Sequence, residues 1–221
     1  MSGFLFSFEG IDGVGKTTQV GLVKNWLEQL GYPVRVVREP GGTELGERIR
    51  EIILYGQTIA EPNAEFLLFA AARAELVGRV IRPVLQAGGV VLADRYTDSS
   101  EVYQGFGRGA DFSLIAQVNA AITAEAIPQG TLWLDGTSRR EGASDNLESR
   151  DDRFFERVRQ GYRSLAEHHP ERFVRIQADQ SREAVFESIQ QAISGWLGKG
   201  SRSWLREEGE RHNSLKMPPE Q

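Results

Sequence analysis

Apolar residues fall into two alternating patterns along the chain. Phe4–Phe8 is a short apolar run of strand length that ends in a glycine-rich turn. From Val20 to Leu30 the apolar positions Val20, Leu22, Val23, Trp26, Leu27 and Leu30 recur at helical spacing, and Gly31 marks the stop. Val34–Val37 reads as a second strand, Glu44–Leu54 and Ala64–Leu85 as helices, Gly89–Ala93 as a buried third strand and Thr131–Leu134 as a fourth. Phe154–Leu165 has helical spacing, Phe173–Ile176 is strand-like, and Arg182–Leu197 is an amphipathic helix. Strands alternating with helices predict an α/β fold in three layers, a five-stranded parallel sheet with helices on both faces. No internal repeat or long linker interrupts the pattern, so residues 1–198 read as one domain. From about Lys199 it dissolves into Gly, Ser, Arg and Glu with the pair Pro218-Pro219, and 199–221 reads as a disordered tail. Trp204 and Leu205 are its candidates for docking.

Composition narrows the class. A length of 221 residues fits one α/β domain better than two, and 40% hydrophobic with 26% charged residues suits an ordinary packed core. The formal net charge of −5 argues against a general nucleic-acid binder. It leaves nucleotide binding open, because a few local donors suffice for that. The chain has no cysteine, which removes disulfides and thiolate metal sites, and its three His residues (His168, His169, His212) are too scattered for a His-based metal site. The start, Met1 to Leu5, lacks a basic n-region, and no stretch approaches the ~20 apolar residues of a membrane span. A cytoplasmic protein with neither membrane nor nucleic-acid partner is the expectation.

Chemistry enters directly after the first strand. Gly10-Ile11-Asp12-Gly13-Val14-Gly15-Lys16-Thr17, followed by Thr18, matches G-x-x-x-x-G-K-[ST] in the required context of strand and helix. Glycines let the backbone curl so that successive N–H groups point at phosphate oxygens, and the next helix adds its positive end. Lys16 reaches the outer phosphates and the Thr17 hydroxyl can ligate Mg²⁺. The fold predicted is therefore that of a P-loop NTPase, binding ATP or another nucleoside triphosphate. Arg38-Glu39-Pro40-Gly41-Gly42-Thr43 follows the second strand, at the sheet edge that faces ligands. Taken alone it reads more simply as a surface turn with a solvated Arg38. Asp94-Arg95-Tyr96 ends the third strand, where a carboxylate beside a P-loop holds Mg²⁺ or its waters and an arginine bridges anionic oxygens. Ser99 to Arg108 mixes hydroxyls, an aromatic ring, an amide and glycines, which suits a pocket for a base and sugar as well as any polar loop.

Phe8 to Gln19, Arg38 to Thr43, Phe69-Ala70-Ala71-Ala72-Arg73, Asp94-Arg95-Tyr96 and Asp98-Ser99-Ser100-x-x-Tyr103-Gln104-Gly105 stand in the order expected of bacterial thymidylate kinases. The chain resembles that family from about Phe4 to Leu197. The resemblance implies phosphorylation of dTMP to dTDP by ATP with Mg²⁺ held near Thr17 and Asp94, and it implies a homodimer formed through apolar helix faces such as Ala64–Val80 or Leu114–Ile122. It assigns stacking on thymine to Phe69 and a hydrogen bond to the base to Arg73. From the residues alone, Phe69 is simply core, on an apolar face with Phe66, Leu67 and Leu68. Ser100 matches a reader of the thymine edge, Tyr103 a ring that excludes a 2′-hydroxyl, and Gln104 and Ser99 line the same pocket. Asp12 matches an acid facing the sugar hydroxyl or the metal's waters, and Arg38 and Arg95 match ligands of the dTMP phosphate.

The lid, about 138–153, departs from the family pattern. Bacterial members carry a catalytic arginine in an Asp-Arg pair before a Phe-Phe helix, and here Asn146 stands at that position after Asp145. Arg150 is the first substitute as a catalytic group beside Lys16, Asp94 and Arg95, with Arg140, Arg139 and Arg153 behind it. The departure keeps two alternatives open: a kinase for another nucleoside monophosphate, and a nucleotide-binding protein with impaired catalysis. A GTPase is disfavoured, since no Asn-Lys-x-Asp signature occurs.

Overall fold

Five strands, β1 (Phe4–Glu9), β2 (Val34–Arg38), β3 (Val90–Asp94), β4 (Gly130–Asp135) and β5 (Phe173–Gln177), pair in parallel in the order β2-β3-β1-β4-β5. They belong to a computed structural model that describes residues 3–56, 59–138 and 152–213, the last stretch with side chains only to 198. All five strands lie within a few residues of the expected runs. The central strands read as unbroken apolar runs because both faces are covered. Phe6 and Phe8 of β1 join Val20, Val23 and Leu27 on one side, whereas Leu5 joins Leu76, Val77 and Ile81 on the other. The first set comes from α1 (Lys16–Gln29) with α7 (Asp152–His168) and α8 (Arg182–Asn213), and the second from α3 (Pro62–Leu76) and the turn after it.

Two expectations about helices need correction. The single helix over 64–85 is instead α3, a π-wound turn Val77–Ile81 and α4 (Arg82–Gln86). Pro83 has no N–H to give and its ring crowds the preceding turn, and the wider winding, with Arg82 N–H bonded to Val77 O, absorbs the mismatch. The segment that suits a base-and-sugar pocket as well as a polar loop is wound into α5 (Thr97–Ser100) and a π-wound stretch Glu101–Gly107. The last helix continues past the expected Leu197 to Asn213. Its Arg, Glu and Leu residues favour helix, and neither Gly200 nor Gly209 ends it. The side chains of Trp204 and Leu205 and residues 214–221 lie outside what is described. Helices α2 (Glu44–Tyr55) and α6 (Phe112–Thr123) complete the structure, with Thr43 and Asp111 capping their first turns through side-chain oxygens.

The strand order turns around at β1. Successive crossovers leave it for β2 and β3 on one side and for β4 and β5 on the other, which opens a crevice at the C-terminal ends of β1 and β3. The glycine-rich turn and the Asp94-Arg95 pair both emerge there.

Candidate active site

The turn after β1 owes its path to glycine. Gly10 has φ +134°, and a Cβ there would lie 2.5 Å from the Leu134 carbonyl oxygen. Gly15, with φ +108°, is the first cap of α1, and no side chain satisfies the N–H groups of that helix end. Those donors and the helix dipole make an anion site. Lys16 bends back inside the turn, donating to Gly10 O at 3.0 Å and Ile11 O at 2.9 Å, with Asp12 at 3.7 Å. Burial, then the Arg95 charge, lowers the pKa of this ammonium to about 8, while Asp12, Asp94 and Glu9 pull the other way. Thr17 donates its hydroxyl to Asp94 at 2.9 Å, across the crevice. Asp12, Gly13, Gly15 and Lys16 to Thr18 face the cavity, while Val14 packs in the core, and Gly10 and Ile11 contribute carbonyls to Lys16.

Arg95 stands opposite. Its backbone has φ +72°, a sparsely populated region for a non-glycine residue. The guanidinium donates to Asp12 at 2.9 Å, Tyr103 Oη at 3.1 Å and Ser99 Oγ at 3.3 Å, and it lies 4.7 Å from the Tyr103 ring centre. Burial works against its charge, but Asp12, Tyr103, Tyr162 and Glu9 outweigh that and hold the pKa well above the ordinary arginine value.

A cavity of about 740 Å³ joins the phosphate turn to Arg38, Phe69, Ser99, Tyr103 and Gln104. Arg38 reaches it from the end of β2, paired with Glu47 at 2.8 Å. Phe69 is only 8% exposed and packs with Ile49, Ile53, Leu54 and Ala72 while one part of it lines the cavity, so the core and the pocket readings both hold. Gln104 gives its amide N–H to buried Glu65 at 3.0 Å.

Two expected base readers lie behind this wall. Arg73 is 1% exposed and donates to Glu39 at 2.7 Å, Asn119 at 2.7 Å, Tyr96 O at 3.2 Å and Ser100 Oγ at 3.0 Å. Neither Arg73 nor Ser100 is among the residues lining the cavity. Burial raises the Glu39 pKa, with the Arg73 charge opposing it. Arg50, on α2, was not expected; it lines the cavity and donates to Pro40 O at 3.0 Å. The signal was its position one turn after Glu47, on the helix that follows the Arg38 turn. Glu9 and Tyr162 were also missed, hidden by strand and helix patterns that mark them as core. Of the lid candidates, Arg153 is exposed in the first turn of α7, and Arg139, Arg140, Asn146 and Arg150 lie outside the described residues. Among the described residues no cluster of three or more His, Asp or Glu side chains could hold a metal ion, and no helix is long and apolar enough to cross a membrane.

Comparisons with known proteins agree with this geometry. The family profile described as thymidylate kinase matches residues 8–189. A thymidylate kinase of Pelotomaculum thermopropionicum is 44% identical, over 92% of this chain and 100% of its own length. One of Nostoc punctiforme is 45% identical, over 87% of this chain and 96% of its own. The crystal structure of a thymidylate kinase from Ehrlichia chaffeensis superposes with a TM-score of 0.74 at 32% identity, covering 88% of this chain and 99% of that one.

Proposed function

The chain belongs to the thymidylate kinase family, and from that premise we propose how its residues divide the work of moving a phosphoryl group from ATP to dTMP. The activity itself, an ATP-dependent kinase phosphorylating dTMP, follows from the membership. The observation that carries the assignment of roles is the pair Lys16 and Arg95, which face one cavity from the ends of β1 and β3.

The triphosphate of ATP lies along the turn from Gly10 to Thr18, and Lys16 leaves the carbonyls of Gly10 and Ile11 for the outer phosphates. Arg95 exchanges Asp12 for phosphate oxygens, and Arg38 reaches the dTMP phosphate from the other side. The acceptor is already an anionic oxygen, so no strong base is required, and positioning with charge stabilisation carries the rate. Thr17 and Asp94 offer hard oxygen ligands one hydrogen bond apart beside the turn. Mg²⁺ that arrives with ATP needs only one or two such protein ligands, so the pair fits it, and the ion would neutralise phosphate charge there. Asp94 would thus serve as a ligand of that ion, and Asp12 would face the sugar hydroxyl or the ion's waters. Phe69 supplies the ring for thymine, with Gln104 and Ser99 along the same wall and Tyr103 against the deoxyribose. Arg73 and Ser100 act from beneath the surface, fixing the floor under the base. Arg150 is the lid arginine of this reading, ahead of Arg140, Arg139 and Arg153.

Turnover of dTMP, dUMP, dCMP, dGMP and dAMP with ATP and Mg²⁺ tests the assignment. A preference for dTMP of at least about tenfold in kcat/KM is expected, since a site built to pair polar groups rejects mismatched bases strongly. Equal or better use of another monophosphate would assign the pocket to that base. Binding of dTMP and ATP without any dTDP would point to impaired catalysis instead.

Leu67 of α3 and Phe112 of α6 are 47% and 46% exposed, and Leu114, Val118 and Ile122 of α6 are half-buried against the cluster of Phe66, Ala70, Ala110 and Ile115. This apolar face supports a homodimer through α3 and α6. Light scattering at twice the chain mass is the expected result, and a monomer that persists at high concentration would reject it. A cytoplasmic location accords with the reading.

A further inference from the structure

We propose that Glu9 is a positioning residue for Arg95, setting both the backbone turn and the hydroxyl that aim the guanidinium into the cavity. The inference rests on the reading of Arg95 as a phosphate ligand. Glu9 ends β1 directly before the phosphate turn and is fully buried. Its two oxygens are saturated. One accepts from Ser7 Oγ at 2.6 Å and from Tyr96 N–H at 2.8 Å, and the other from Ser99 Oγ at 2.5 Å and Tyr162 Oη at 3.0 Å. Four donors around a buried carboxylate are more than packing alone asks for, and three of them lead to the site.

Tyr96 N–H is the peptide group on the far side of Arg95. The positive φ of Arg95 is held from both ends, by Arg95 N–H on Phe8 O at 3.0 Å and by Tyr96 N–H on Glu9. A strained backbone persists only where its surroundings over-determine it. Ser99 has a single proton, and Glu9 takes it. The lone pairs of Ser99 are therefore left to accept from Arg95. Tyr162 brings in α7, the helix that follows the lid, and its ring stacks on Trp133 at 5.7 Å.

The isosteric change Glu9→Gln has one satisfactory orientation. The Tyr96 N–H cannot rotate, so the amide oxygen must face it, and the amide nitrogen must face Ser99 and Tyr162. Ser99 then accepts from the amide, and its proton, with no carboxylate to hold it, turns either to Tyr162 Oη at 3.4 Å or towards Arg95, so its lone pairs are no longer fixed on the guanidinium. The loss should fall on the aim of Arg95 and not on the binding of ATP.

The full-length enzyme is assayed as parent, Glu9→Gln, Ser99→Ala, the double variant and Arg95→Ala, with rates referred to active sites titrated by dTMP binding. Glu9→Gln should lower kcat about tenfold and leave KM for ATP within about twofold, the pattern of an interaction felt in the transition state. The double variant should fall no more than about twofold below the lower single variant, because both changes break one relay. Parent-like kcat in Glu9→Gln, losses that multiply in the double variant, or a rise in KM for ATP with kcat unchanged would each overturn the proposal. If Glu9→Gln does not fold, Ser99→Ala decides alone: a parent-like kcat there rejects the relay, and a loss in kcat at constant KM for ATP supports it. Arg95→Ala with parent activity would remove the premise and not the relay, which separates the two failures.

Discussion

Two arginines, Arg95 and Arg73, differ in what their partners are free to do. Arg95 is bound by Asp12, Ser99 and Tyr103, all of which line the cavity, and Asp12 is 33% exposed. A carboxylate with that much access to water can release the guanidinium to an arriving phosphate and be solvated in its place. Arg73 is bound by Glu39, Asn119, Ser100 and the Tyr96 carbonyl, with Glu39 3% exposed. Glu39 also lines the cavity, but its side chain is almost wholly shielded from water, so parting it from Arg73 would strand a charge. One arginine is held in a form ready for exchange, and the other is fixed into the frame. Residue type cannot tell the two apart, because the difference lies in the exposure of the acid beside each.

Truncating each arginine in turn separates the two roles most strongly. Arg73→Ala leaves Glu39 buried without its cation, and removing one member of a buried pair costs about 3–5 kcal/mol. A fall in melting temperature of roughly 10 °C is expected in a chain of this size. Arg95→Ala should cost about 1 kcal/mol or less in stability, since Asp12 can be hydrated, yet lower kcat/KM for dTMP about a hundredfold or more. Thermal unfolding and steady-state kinetics on both variants check this. Equal destabilisation by the two would mean that Arg95 is as much a part of the core as Arg73. A double change, Arg73→Ala with Glu39→Gln, should recover part of the lost stability, because the stranded charge is gone.

Sequence alone conveys the features that have a local cause and hides those set by distant neighbours. The five strands and the phosphate turn were legible because each has a local cause: unbroken apolar runs for strands covered on both faces, and glycines where the backbone must curl. Ser99 to Arg108 was not legible as helix, since its two glycines and polar residues look like a loop. Phe112 and Phe154 pack where side chains on Gly105 and Gly107 would be, so neighbours distant in sequence account for those glycines. The break at 77–81 was foreshadowed by Pro83, but its π winding was not. At the site, Lys16, Thr17, Asp94, Arg95, Phe69, Tyr103 and Gln104, all named from motif spacing, line one cavity. Spacing could not show that Arg73 and Ser100 stand behind the wall, nor find Arg50, because which turn of a helix faces a cavity depends on packing. Glu9 illustrates the remainder. It looks like one more strand residue until its four donors, from positions as distant as Tyr162, are seen together.

Lys16, on the phosphate side, responds more mildly. Like Arg95, Lys16 is held by groups it must leave, but unlike a guanidinium it can lose its proton. Burial and the Arg95 charge bring its pKa down to about 8 in the free enzyme. The charged form prevails below that value and is lost as pH rises through it. A neutral Lys16 offers less to a triphosphate, so kcat/KM for ATP should be level from pH 6.5 to 7.5 and decline above about 8, by roughly tenfold at pH 9. The decline should be shallower in kcat at saturating ATP, because bound phosphates favour the ammonium and carry its pKa upward. Arg95→Lys, which keeps a positive charge beside Lys16, should leave the limb close to where it is. Arg95→Ala removes that repulsion and should move the limb to higher pH. A limb in the same place in Arg95→Ala would mean that burial alone sets the Lys16 pKa, and that the two cations do not sense each other across the cavity.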